Sequence, residues 1–211
     1  MNEGSQRSVK KTTGMKRVVG IFVFTIVLWF NSYSQQYVFT NYSINNGLSQ
    51  SVVNCIFQDS QDYIWIGTQN GLCRFNGETF DVFNYNPADS GSISNNWIYA
   101  IAEDRGRNLW IGTKGGLNKY LVTQNKFERI VYKTGYPFDL TRYCYDLLCL
   151  KNGNILINTP PLISVYDPAK GSFTHFQSSL EYDGAVEDVR MPVMEETDGQ
   201  LWIGSSKGLA G

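Results

Sequence analysis

"YIWIGTQNGLCRF", residues 63–75, returns downstream as "LWIGTKGGLNKY", residues 109–120, and again as "LWIGSSKGL", residues 201–209. Trp65 and Trp110 are 45 residues apart, and the same offset carries Ser49 onto Ser94, Asp59 onto Asp104, Gly67 onto Gly112 and Leu72 onto Leu117. A worn copy, "NILINTPPLISVY" at residues 154–166, puts Leu156 in the Trp position at an offset of 46 and keeps Thr159 and Tyr166. Trp202 and Gly204 restore the signature 46 residues further on. A fixed period of this length marks a repeat architecture, in which no unit buries its apolar face alone.

The first copy reads as strand 51–59, turn, strand 63–69, turn, strand 72–77 and strand 79–85. Asn70-Gly71 predicts a two-residue hairpin with positive φ at both positions. Four strands in about 45 residues match one blade of a β-propeller, and the lack of a 3.6-residue apolar period excludes helical solenoids. The expected fold is all-β: four-stranded antiparallel meanders in an incomplete ring of about three and a half blades. Blades are expected over 49–86, 94–132, 140–177 and, incomplete, 187–211, within a domain spanning 35–211. Residues 36–42 align with the fourth strand of the next unit and predict a closing strand, while the last unit is expected to stop before its third strand. Propellers have about four to eight blades, so these units do not close a ring, and open edges make them unstable alone. The missing blades, or a second protomer, are the implied partners, and the chain reads as a truncated propeller or an incomplete gene product.

At the N-terminus, Lys16 and Arg17 precede the apolar run "VVGIFVFTIVLWF", residues 18–30, and Ser32 and Ser34 follow. A run of 13 residues is short for a bilayer span, which takes about 20. The pattern predicts a signal peptide over 1–34, with an uncleaved anchor as the competing reading and Met15 as an alternative start. The exported part would hold 13 Lys or Arg against 18 Asp or Glu, a balance that argues against nucleic acid as a partner. The location that follows is the periplasm, with the membrane involved only through export or a parent's transmembrane helix.

Four cysteines, Cys55, Cys73, Cys144 and Cys149, invite a disulfide reading in an exported chain. Cys55 and Cys73 fall in strands separated by a third, roughly 9 to 10 Å apart, beyond bridging reach. The odd spacing of Cys144 and Cys149 puts them on opposite faces of a strand. Buried small hydrophobes are the expected role.

"GLSQSVVNCIFQDSQDYIWIGTQNGLCRFNG", residues 47–77, and "SISNNWIYAIAEDRGRNLWIGTKGGLNKY", residues 92–120, resemble the two-component regulator propeller repeats of the periplasmic sensor regions in Bacteroidetes-type hybrid two-component systems. The resemblance extends over residues 36–209. It implies a large propeller, followed in that family by a further β domain, a membrane helix, a histidine kinase and a response regulator with a DNA-binding region. Those receptors sense polysaccharide breakdown products. None of the later parts occurs in this sequence.

Trp65, Trp110 and Trp202 recur mid-strand, which makes them core between blades rather than sugar platforms. Gly67, Gly112 and Gly204 admit close approach by a neighbour, and Leu72 and Leu117 complete the repeated core. Asp59 and Asp104 are lone carboxylates at strand ends, suited to turn capping. The long loops share one face with the second-to-third-strand turns. There Asn95, Asn96, Trp97, Lys114, Tyr136, Arg142 and Tyr143 are the candidate ligand residues, able to stack on and hydrogen-bond an oligosaccharide.

No nucleophile elbow, phosphate loop or metal-ligand cluster accompanies the single His175, and no cofactor, metal or catalytic residue is expected. The expected function is an oligosaccharide-sensing propeller without enzymatic activity. The alternatives are a propeller glycosidase or lyase with two carboxylates meeting at a central channel, or a non-functional remnant.

Overall fold

The computed structural model describes residues 38–130, 143–159, 162–177, 193–195, 200–205 and 208–210. The segment predicted as a signal peptide lies outside them. Contacts divide the chain at Asn41/Tyr42, and every strand below belongs to the second unit. No helix among the described residues is long and apolar enough to cross a membrane.

Each repeat folds as an antiparallel meander. The first sheet contains β1 (Val53–Gln58), β2 (Ile64–Thr68), β3 (Gly71–Phe75) and β4 (Phe80–Phe83), and the second β5 (Ile98–Glu103), β6 (Leu109–Thr113), β7 (Gly116–Leu121) and β8 (Lys126–Ile130). The third contains β9 (Asp146–Cys149), β10 (Ile155–Thr159), β11 (Leu162–Asp167) and β12 (Ser172–Gln177), and the fourth β13 (Val193–Glu195), β14 (Leu201–Ser205) and β15 (Gly208–Ala210). The first strands of successive sheets are neighbours, β1 with β5, β5 with β9 and β9 with β13, as around a common axis. The assembly is an incomplete β-propeller.

Alternation along the strands decides what is buried. In β2 the residues Trp65 and Gly67 share a face and point at the second sheet, where Trp65 and Leu72 pack with Ile98, Leu109, Ile111 and Tyr120. The next gap repeats this with Trp110 and Leu117 against Cys144, Leu147, Ile155 and Ile157. Trp65, Trp110 and Leu156 are each only 1% exposed. An indole burying some 150–250 Å² contributes about 4–6 kcal/mol at ~25 cal/mol/Å², an upper bound. Gly67 and Gly112 make the approach possible. A Cβ on Gly112 would sit 2.6 Å from the Cys144 carbonyl oxygen, and one on Gly67 would overlap Cys55 Sγ and lie 2.7 Å from Ile98.

Asp59 does more than cap its turn. One carboxylate oxygen accepts the N–H groups of Gln61 and Tyr63, and the other accepts the Trp65 indole N–H at 2.7 Å. Asp104 repeats the clamp, accepting from Asn108 N and, at 2.9 Å, from the Trp110 indole. Burial works to raise the Asp104 carboxyl, but hydrogen bonds from Trp110 and Asn108 outweigh it and hold the group below its ordinary value. In the third sheet both partners change together. Leu150 stands at the Asp position and Leu156 at the Trp position, both buried against Ile163, so no indole donor is left needing a carboxylate.

Two local expectations are corrected. The hairpin loop is Gln69–Asn70 rather than Asn70-Gly71: Thr68 pairs with Gly71, and only Gly71 has positive φ, at 118°. The Thr68 hydroxyl closes the turn one residue early by accepting the Asn70 N–H at 3.0 Å and donating to the Gly71 carbonyl at 2.8 Å. Residues 38–42 are not in a strand, and the blade that the expected closing strand would complete is not among the four sheets. The fourth sheet does have a third strand, β15, with Gly204 opposite Leu209.

All four cysteines are free thiols. Burial pushes the Cys144 thiol well above its ordinary value, with Asp146 adding to the effect. Cys149 rises to about 12 through burial and the nearby carboxylates of Asp104 and Glu103.

Candidate functional site

The β2–β3 and β6–β7 turns and the β4–β5 loop meet at one end of the blades. Hydroxyl pairs fasten them there. Ser49 meets Thr68 at 2.9 Å, and Ser94 meets Thr113 at 2.8 Å. The β4–β5 loop is further pinned by Arg129, whose guanidinium donates to the carbonyls of Ser92 and Asp89 and to the Ser92 hydroxyl. Backbone bonds then tie loop to turn: Gly71 N–H donates to the Asn96 carbonyl at 2.7 Å, and Lys114 N–H to the Trp97 carbonyl at 2.9 Å.

On this frame Trp97, Lys114 and Tyr143 come together. The Lys114 ammonium lies 5.3 Å from the centre of the Trp97 ring and 5.8 Å from that of Tyr143. Two residues absent from the candidate set extend the cluster. Tyr99 lies against Trp97 at 6.2 Å and Tyr145 at 4.8 Å, and Tyr143 stacks on Tyr145 at 5.6 Å with rings 8° from parallel. Trp97 and Tyr143, like Tyr99 and Tyr145, are 46 residues apart, so the signal was present as a repeated i, i+2 aromatic pair at the start of two innermost strands. The first repeat has Val52 and Asn54 at these positions, which confines the platform to the second and third blades.

Asn95 and Asn96 serve the loop itself. Asn95 Oδ1 accepts the Trp97 N–H at 2.9 Å, and Asn96 Oδ1 accepts the Tyr85 N–H. Tyr136 and Arg142 lie outside the described residues. Trp65, Gly67, Leu72, Trp110, Gly112 and Leu117 are buried, while Trp202 and Gly204 on β14 are half-buried. His175 sits in β12 with Nδ1 2.8 Å from the Ser164 hydroxyl. No group of metal-ligating side chains occurs among the described residues. What the cluster supplies chemically is flat apolar surface beside one cation.

The fold and this platform define a β-propeller repeat protein. Residues 47–70 and 92–115 match the two component regulator propeller. A histidine kinase of Formosa agariphila is 39% identical over 80 residues, covering 35% of this chain and 6% of that protein. An extracellular domain from B. thetaiotaomicron, described as a hybrid two component system, is 22% identical with a TM-score of 0.61, covering 78% of this chain and 22% of that one. Virginiamycin B lyase of Staphylococcus aureus is 15% identical with a TM-score of 0.58, covering 81% of this chain and 58% of the lyase. The chain thus spans only a small part of the histidine kinase and of the B. thetaiotaomicron domain. At these identities the two structures share the fold, which by itself hosts both binding and catalysis.

Proposed function

We propose that this chain is a ligand-sensing propeller of a hybrid two-component signalling system, acting outside the cytoplasm and binding an oligosaccharide at the Trp97–Lys114–Tyr143 platform. The family of the repeats and the extracellular setting of the B. thetaiotaomicron relative support the first part. The single observation that carries the ligand class is the platform itself. Sugar rings present flat C–H faces that pack on Trp97 and Tyr143, while Lys114 donates to hydroxyl or carboxylate oxygens. The platform draws residues from two blades, so a bound glycan would join them, and the loop frame fixed by Arg129 would transmit the change to parts beyond this chain. Catalysis is not part of this reading.

Isothermal titration of the exported chain with oligosaccharides released from plant and algal polysaccharides tests it, with product analysis in parallel. Trp97→Ala should cost about 2 kcal/mol, as central aromatic anchors do, or roughly 30-fold in affinity. Affinity unchanged in Trp97→Ala and Lys114→Ala would remove the platform from the proposal. Shortened sugars in the product analysis would replace sensing with a glycan-cleaving enzyme.

A further inference from the structure

A cavity of about 270 Å³ opens between the first and second blades at the end that carries the β1–β2 turn. Its wall uses parts that the repeat reproduces. Trp65 is held by Asp59, Arg74 lies over the Trp65 ring at 5.7 Å, and Tyr120 of the next blade meets that ring edge-on at 5.1 Å. In the following gap Trp110, Lys119 and Tyr166 make the same arrangement, at 5.5 and 5.7 Å.

The rim does not repeat. Gln61, Tyr63, Glu103 and Arg107 line the first gap, where the next repeat has Gly106, Asn108, Cys149 and Gly153. Packing between blades needs only the shared wall, because both gaps are built on it. Tyr63 also packs against the core and Glu103 is tied to Ser60, so Gln61 and Arg107 are the rim side chains extra to the fold at this gap.

The wall is also pre-organised. Arg74 donates to Asp81 at 2.6 Å and to the Tyr120 hydroxyl at 3.2 Å, and Glu103 accepts both the Ser60 N–H and its hydroxyl. Gln61 and Arg107 stand exposed at the rim. The lining holds two guanidinium groups, Arg74 and Arg107, and two carboxylates, Asp59 and Glu103, and Arg74 is already paired with Asp81, so nothing here selects an anion. Trp65 and Tyr120 are each 1% exposed and lie behind the lining, so the open surface is half-buried Tyr63 with mixed donors and acceptors and no excess of cations, which suits a neutral molecule dense in hydroxyls. The volume lies just below the ~300–1,000 Å³ of sites for larger ligands, on the scale of one sugar ring.

We infer that this gap is a second binding site, separate from the aromatic platform, that takes a single neutral sugar ring. It stands whether or not the platform binds glycan.

The test is calorimetric titration of the full exported chain with D-glucose, D-galactose, D-mannose, D-xylose and, as the charged control, D-galacturonic acid, alongside indole fluorescence. At least one neutral sugar should bind saturably and change the emission, with Trp65 in the wall as reporter. Gln61→Gly and Arg107→Gly each install the next repeat's residue at an exposed position, and Gly suits the positive φ of 62° at Arg107. Each should weaken binding about tenfold, the loss of ~1.4 kcal/mol, without moving the thermal midpoint. Trp97→Ala should leave it unchanged. No saturable binding by any of the four neutral sugars, or binding by galacturonic acid alone, overturns the inference. Binding lost in Trp97→Ala but intact in both rim variants also overturns it, and places the sugar on the platform instead.

Discussion

A methyl group added at Gly112 tests how closely the blades are packed. Its Cβ would stand 2.6 Å from the Cys144 carbonyl oxygen and 2.7 Å from Cys144 Sγ, so the obstacle is partly backbone, which side-chain rotation does not clear. At Gly67 the same methyl meets only side-chain atoms of Cys55 and Ile98 among its nearest neighbours. Overpacking costs about 1–3 kcal/mol, and reduced freedom of the unfolded chain returns about 0.4–1 kcal/mol for Gly→Ala. The net expectation is about 1–2 kcal/mol for Gly112→Ala and under about 1 kcal/mol for Gly67→Ala. For a chain of this size 1 kcal/mol moves Tm by about 2–4 °C, so Gly112→Ala should melt roughly 2–8 °C lower. Urea unfolding followed by indole emission gives the free energies. A second substitution separates the two sites: Cys55→Ala should restore much of the stability lost in Gly67→Ala by removing the sulfur. Equal stability of Gly112→Ala and the parent, or a larger loss at Gly67, would refute the idea that the next blade's first strand dictates glycine here.

Asp104 ties stability to acid. Its carboxyl is held below the ordinary value, so its contribution is complete above the unfolded-state value near pH 4 and fades as pH falls through the lower folded value. Tm followed downward from about pH 5 should therefore fall less steeply in Asp104→Asn than in the parent, and identical acid limbs would contradict the clamp. Cys144, buried and strongly disfavoured as thiolate, should resist a thiol reagent at about pH 8 until the chain unfolds, so native-state labelling at the unfolded rate would show the packing to be open. Arg129→Ala removes the bonds that pin the β4–β5 loop. It should weaken glycan binding about tenfold through loss of pre-organisation while leaving the Trp97 side chain in place, and unchanged affinity would show that the loop holds itself.

Much of this molecule is legible as a line of letters, because a repeat writes the same physics several times. The offsets of 45 and 46 expose the blade, the alternation within "YIWIGTQ" assigns Trp65 and Gly67 to the buried face, and the recurrence of Trp110 marks it as packing. These rest on period-two strands and local turns, whose causes lie within a few residues. The misplaced hairpin shows the limit even there. Asn70-Gly71 is a strong local signal, yet the Thr68 hydroxyl moved the turn by one residue.

Tertiary structure alone decided which side chains share a site. Lys114 reaches Trp97 and Tyr143 because adjacent blades bring a turn of one sheet beside the first strands of two, a relation between residues 17 to 46 positions apart. Tyr99 and Tyr145 joined the platform through the same blade-to-blade contact. The sugar-sized gap behind Trp65 belongs to this class as well: its wall is a repeated core, but its rim is assembled from turns of two blades. A periodic sequence thus specifies each unit, whereas the sites lie between units, where the angle and spacing of one sheet on the next select the neighbours.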